Sequence, residues 1–206
     1  MKTLVLLTSR GGGHCMHIAE EIERGTLPGL RLAAVVTDNP DAEVLGKCRR
    51  RGLRCDVLPW PGRERAGEHD ERLARHLQAL APDLVGLVGY LRIVRQATLS
   101  RWGEHLFNLH PSLLPAYPGL DAIARAWHAG EARLGATLHR VDAGVDTGAA
   151  LARIAVRAGA VGSLEAATAA VHRAEALLLG RALRAWLDGG GWPAAPLEWS
   201  EPEDRP

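Results

Sequence analysis

The chain has 206 residues, a formal net charge of +1, 47% hydrophobic residues and three cysteines. That length suits one domain with a sizeable core, and the near-neutral charge excludes the basic surface of a nucleic-acid binder. Cys15, Cys48 and Cys55 are odd in number and form no CxxC pair, which points to a reducing, cytoplasmic compartment rather than a disulfide scaffold.

The apolar run at residues 4–7 is too short for a signal peptide and gives way at once to Thr8, Ser9 and Arg10. No stretch approaches the roughly 20 apolar residues needed to span a bilayer, so no membrane partner is expected. Runs at 4–7, 32–36, 84–88 and 106–109 are short and nearly continuously apolar, as in parallel strands covered on both faces. Between them, 15–24, 41–51 and 66–80 carry helical spacing, the last with Leu73, His76, Leu77 and Leu80 on one stripe. This alternation predicts an α/β, Rossmann-like fold: a mostly parallel twisted sheet with right-handed crossovers and helices on both faces. After His110 the pattern changes. Residues 136–141 and 149–156 read as strands joined by a loop, and 164–187 as one long helix stopped by Gly189-Gly190-Gly191. With no internal repeat or linker, residues 1–190 are expected to form a single catalytic domain, and 191–206 a loosely ordered tail.

The first strand runs into Ser9-Arg10-Gly11-Gly12-Gly13-His14 and then a helix. Glycines before a helix N-terminus let backbone amides approach an anion, so Gly12, Gly13 and His14 are candidates for a phosphate or carboxylate subsite; the same residues also suit a plain tight turn. The turn is not G-x-G-x-x-G, so Asp38, placed past the next strand where a ribose would be held, makes only a weak dinucleotide site. His14, Cys15 and His17 lack further ligands at sensible spacing, and no metal site is expected. On the long helix, Glu175 falls inside the stripe of Leu164, Val171, Leu178 and Ala182. A carboxylate there either anchors a substrate or reaches out from an edge position.

Asn108 and His110 are two apart on a strand and share a face, with Phe107 and Leu109 packed the other way. Pro111 ends the strand, which leaves an amide and an imidazole side by side at its carboxyl end, where open α/β sheets build their sites. The order of motifs along the chain is more telling than either residue. Asn108-Leu109-His110-Pro111-Ser112-Leu113-Leu114-Pro115 is followed by Tyr117-Pro118-Gly119, then Gly135-x-Thr137-x-His139, then Asp146-x-Gly148.

That combination resembles the folate-dependent formyltransferases, most of all those acting on glycinamide ribonucleotide. The resemblance runs from the first strand to Glu175 and is strongest between Gly89 and Gly148. It implies a 10-formyltetrahydrofolate-dependent enzyme of one-carbon metabolism and purine biosynthesis, a cytoplasmic monomer or homodimer acting on a small-molecule amine. By this resemblance, Asn108 holds the formyl oxygen and His110 donates a proton and stabilises the tetrahedral oxyanion. Asp146 keeps His110 oriented and in a useful charge state. Leu91, Arg92, Ile93 and Val94 match the segment lining the pterin pocket, and Asp142, Ala143, Gly144, Val145 and Asp146 the loop that closes over it. His172 and Glu175 match the helix segment that contacts the glycinamide substrate.

The chain departs from the pattern on the acceptor side. The glycinamide ribonucleotide enzymes carry a first turn of the form Ser-Gly-x-Gly-Ser-Asn, whose hydroxyl and amide side chains are absent here. Either Arg10 or a protonated His14 replaces them, or the acceptor has no phosphate. The histidines usual after Tyr117-Pro118-Gly119 are replaced by Asp121 and Ile123, and the 142–148 loop is similar to that of the methionyl-tRNA and sugar formyltransferases. Glycinamide ribonucleotide is therefore the first expectation, with an amino sugar, amino acid or specialised-metabolite amine as the alternative. A formyltetrahydrofolate hydrolase and a non-catalytic folate- or nucleotide-binding module rank lower. The hydrolases carry a further N-terminal domain, and a binding module has no use for Asn108, His110 and Asp146 together.

Overall fold

The computed structural model describes residues 1–160 and 162–200. Eight strands form one sheet in the order β3-β2-β1-β4-β5-β6-β7-β8. The described residues separate into two compact units, residues 1–108 with 140–144, and residues 109–139 with the described residues from 145 to 200.

In the first unit, β1 (Lys2–Thr8) pairs in parallel with β2 (Leu30–Thr37) and with β4 (Leu84–Val88), and β3 (Cys55–Val57) pairs in parallel with β2. Helices α1 (Gly13–Glu23), α2 (Glu43–Arg50), α3 (Ala66–Leu80) and α4 (Gln96–Trp102) form the connections. Burial of β1 and β4 on both faces explains their unbroken apolar runs: Leu4 to Leu7 are fully buried, and Val5, Leu7, Val85, Leu87 and Val36 share a core with Leu73 and Leu77 of α3. Each such side chain contributes about 1.5–3 kcal/mol relative to exposure. Of the stripe expected on α3, Leu73 and Leu77 are buried, whereas the His76 ring turns to Asp56, with Nε2 2.9 Å from Oδ2. Strand β3 is only three residues long and includes a charged Asp56, so no apolar run announces it.

Strand β5 (Leu106–His110) crosses from the first unit to the second. The second unit contains α5 (Ala122–His128), β6 (Arg133–Arg140, all but its last residue), β7 (Ala150–Arg157) antiparallel to β6, and the 26-residue α6 (Leu164–Gly189). Strand β6 starts three residues before the expected 136, because the ladder to β7 begins at Arg133 opposite Arg157. Helix α6 begins where Ser163 Oγ accepts the Ala166 N–H at 3.1 Å, and Gly190 caps its end. The tail is less loose than the sequence suggests: β8 (Leu197–Ser200) pairs in parallel with β7, joining Ala152 to Leu197 and Ala155 to Ser200. Residues 201–206 of the expected tail lie outside the described residues. No helix among the described residues is long and apolar enough to cross a membrane.

Candidate active site

At the carboxyl end of β5, Asn108 is half-buried and His110 is 5% exposed. The two ring nitrogens of His110 face oxygen acceptors on opposite sides: Nδ1 lies 3.2 Å from Asp146 Oδ2, and Nε2 lies 2.9 Å from the Tyr117 carbonyl oxygen. An oxygen acceptor therefore faces each ring nitrogen and fixes the plane of the imidazole. Asp146 sits in the left-handed region at φ +55° and turns its carboxylate inward. Oδ2 accepts the Gly119 N–H at 2.7 Å, and Oδ1 lies 3.5 Å from Nε2 of His139, itself 3% exposed. Burial alone would raise the Asp146 pKa. The His139 hydrogen bond, the Gly119 amide and the charge of His110 outweigh it and lower the value to about 2.

The segment between His110 and Tyr117 is fixed from β6. Thr137 Oγ1 donates to the Ser112 carbonyl at 2.7 Å and accepts the Leu114 N–H at 3.0 Å. Ser112 Oγ in turn donates to the Ala116 carbonyl at 2.6 Å. The carbonyl that receives His110 is thus held on a braced loop, and Tyr117, at φ +56°, takes the left-handed conformation that aims it. A cavity of about 230 Å³ lined in part by Ser112, Tyr117, Glu131, Arg133 and Val171 lies in the same unit and includes none of the expected site residues.

Also in the second unit, Glu175 is 4% exposed and its Oε2 lies 2.6 Å from Nδ1 of His172. The edge-residue alternative for Glu175 therefore does not hold. The Glu175 hydrogen bond raises the His172 pKa, with desolvation opposing it.

The first unit holds the remaining candidates. Leu91, Arg92, Ile93 and Val94 form neither helix nor strand. Leu91 and Ile93 are 42% and 58% exposed, while Val94 is buried in the core, so only its backbone is available to a ligand. In the 142–144 loop, the Gly144 N–H donates to Asp142 Oδ1 at 3.0 Å, and Ala143 is exposed. Gly12 takes φ +62° at the start of α1, and a side chain there would overlap Val44 of α2; this glycine serves the turn whatever else it does. Gly13 opens α1 with free space around it, and His14 is half-buried. Beside them Lys47 donates from Nζ to the Gly11 carbonyl at 2.8 Å and lies 3.5 Å from Glu43. Asp38 is not a ribose ligand in waiting: its side chain is fully buried and paired with Arg92. Cys15 is fully buried, and burial pushes its thiol pKa far up.

A family model described as formyl transferase matches residues 1–183. The chain belongs to the formyl transferase family. The phosphoribosylglycinamide formyltransferase of Bacillus subtilis (strain 168) is 32% identical over 143 residues, covering 69% of this chain and 73% of that one. The trifunctional purine biosynthetic protein adenosine-3 of Drosophila melanogaster is 32% identical over 91% of the chain, which spans only 14% of that protein's length. Among solved structures, glycinamide ribonucleotide transformylase 1 from Symbiobacterium toebii superposes with a TM-score of 0.84 at 34% identity, covering 92% of this chain and 89% of that one.

Within this formyl transferase the family resemblance led to the His110–Asp146 pair, whose members lie 3.2 Å apart, but the groups around it were less legible. His139 reads from the sequence only as part of a motif, although its two-residue spacing from Thr137 on one strand marks the same face. Tyr117 and Gly119 act through backbone atoms, for which side-chain identity carries little signal. Lys47 lies 36 residues from Gly11, and no local pattern connects them.

Proposed function

We propose that this chain is an N-formyltransferase that moves the formyl group of 10-formyltetrahydrofolate to the primary amine of glycinamide ribonucleotide, a step of purine biosynthesis. We read residues 1–190 as its single catalytic domain. The observation that carries the proposal is His110, buried at the end of β5 and bracketed by Asp146 and the Tyr117 carbonyl, two residues after Asn108, in a formyl transferase.

Asn108 offers an amide N–H to the formyl oxygen, and His110 stabilises the negative charge that builds on that oxygen as the amine attacks. The bond from the formyl carbon to the donor nitrogen then breaks, and His110 relays a proton so that the one lost by the attacking amine balances the one gained by the departing tetrahydrofolate nitrogen. Asp146, its pKa lowered to about 2, stays ionised at working pH; it orients the imidazole and balances its charge. The exposed apolar side chains of Leu91 and Ile93 fit a flat apolar ring system such as a pterin. Val145, half exposed, fits a loop that covers it together with Asp142, Ala143 and Gly144. For the acceptor, the Lys47 ammonium beside the Gly11–His14 turn supports a phosphate-bearing amine, because it supplies a cation where the hydroxyl and amide of the usual turn are missing. His172 and Glu175 are the residues we assign to the glycinamide end.

The test is release of tetrahydrofolate from 10-formyltetrahydrofolate by the purified protein. Release only in the presence of glycinamide ribonucleotide is the expected result. Equal release without any amine would make the protein a hydrolase, preference for an unphosphorylated amine would move the acceptor, and no release with a broad amine panel would sink catalysis.

A further inference from the structure

Around residues 90–92 the first unit closes a ring of contacts that the reaction chemistry does not use. The Arg92 Nε donates to Asp38 Oδ2, and the guanidinium lies 4.8 Å from the centroid of the Trp60 ring. Trp60 is tied back to Asp38 by its backbone N–H, which donates to the Asp38 carbonyl at 2.9 Å. The edge of the His69 ring meets Trp60 with centroids 5.1 Å apart, and His69 Nε2 lies 2.7 Å from the Tyr90 hydroxyl, two residues before Arg92. Asp38, Trp60, His69, Tyr90 and Arg92 thus form a closed loop of contacts through four separate stretches of chain. The same segment is pinned elsewhere: the Leu91 N–H donates to Ser9 Oγ and the Arg95 N–H to Asp70 Oδ1, each at 2.9 Å.

Stability alone is a poor account of Asp38. Its side chain is fully buried, and Oδ1 has no hydrogen-bond partner among the described residues. A buried carboxylate satisfied on one oxygen is at best neutral against an apolar replacement. What the carboxylate does accomplish is to fix Arg92, a side chain that otherwise carries large rotamer freedom. With Arg92 held, Leu91 and Ile93 on either side of it are presented exposed on an irregular segment whose backbone is pinned to Ser9 and Asp70. A preformed apolar surface binds a rigid ring without spending binding energy on ordering the wall.

We propose that Asp38 is a positioning residue for the formyl donor, acting through Arg92 and Trp60 to hold the 91–93 wall in its binding conformation. This rests on the reading of that segment as the donor wall, and the test keeps the two apart. Steady-state kinetics of Asp38→Asn should show a KM for 10-formyltetrahydrofolate raised about 10-fold, with kcat and the KM for the amine within about twofold of wild type. In an Arg92→Met background the same change should add almost nothing, because the residue through which it acts is gone. Should Asp38→Asn fail to fold, Trp60→Leu leaves the carboxylate in place and should raise the donor KM about threefold, the worth of the stacking contact. An unchanged donor KM, a loss spread equally over kcat and both substrates, or full additivity in the double variant would overturn the positioning role while leaving formyl transfer standing. Absence of turnover in the wild type would overturn formyl transfer and the positioning role together.

Discussion

Asp146 holds His110 through Oδ2 at 3.2 Å while the same oxygen accepts the Gly119 N–H at 2.7 Å, so one carboxylate both orients the imidazole and closes the loop that follows β5. The first consequence is kinetic. His110→Ala should lower kcat by about 10²–10⁴-fold, the usual worth of a positioned proton-transfer group. Asp146→Asn removes the charge but keeps the shape, and it should act in the same direction. Donor binding should stay near wild type in both, measured by titration with tetrahydrofolate. A fall in donor binding as large as the fall in kcat would place these residues in binding instead.

Asp146 also predicts an acid limit to stability. Its folded pKa of about 2 lies below the ordinary 3.8, so the unfolded chain takes up this proton first as pH falls. The stabilisation is complete above about pH 4 and is lost between about pH 4 and 2. Urea midpoints measured across that window should fall less steeply in Asp146→Asn than in wild type, and parallel curves would refute the linkage.

His172 gives the opposite slope. Its pKa is raised above 6.5 by Glu175, so the folded state holds the proton more tightly than the unfolded chain. That stabilisation is present below pH 6.5 and is lost as pH rises through the folded value. Since His172 is about half exposed, the effect is modest. Thermal midpoints between pH 6 and 9 should decline relative to His172→Gln, whose curve lacks this component.

Lys47 tests the acceptor. Lys47→Met should raise the KM for glycinamide ribonucleotide while leaving the donor KM alone, and added inorganic phosphate should inhibit the wild type more than the variant. Steady-state kinetics at low ionic strength give the cleanest reading, because salt screens a partly exposed cation. Equal inhibition of both proteins would remove Lys47 from the acceptor site.

The N-cap of helix α6, more than two helical turns before His172 and Glu175, offers a structural control. Replacing Ser163 by Ala removes the oxygen that accepts the Ala166 N–H and should cost about 1 kcal/mol, read as a shift of the urea midpoint without a change in kcat.

The legible parts of this chain are those whose signal is local. Strands β1, β2, β4 and β5 announce themselves because burial on both faces demands an apolar residue at nearly every position. Asn108 and His110 announce themselves because a strand repeats every two residues, and Glu175 because it interrupts an apolar helical stripe and is indeed buried. Elements that owe their existence to a neighbour are silent. Strand β3 is three residues held by β2, and β8 is a Pro-flanked segment that becomes a strand only because β7 offers it an edge.

By itself, then, the sequence determined the α/β class, the buried strands and the order of the motifs, since each follows from local periodicity or from residue order along the chain. Tertiary structure alone decided the partners. It brought Asp146, 36 residues on, to His110, and it placed Arg92 against Asp38 across 54 residues and Lys47 against Gly11 across 36. Such pairings depend on how strands and helices are stacked, and the free energy of a contact between distant residues leaves no periodic trace in the chain that makes it.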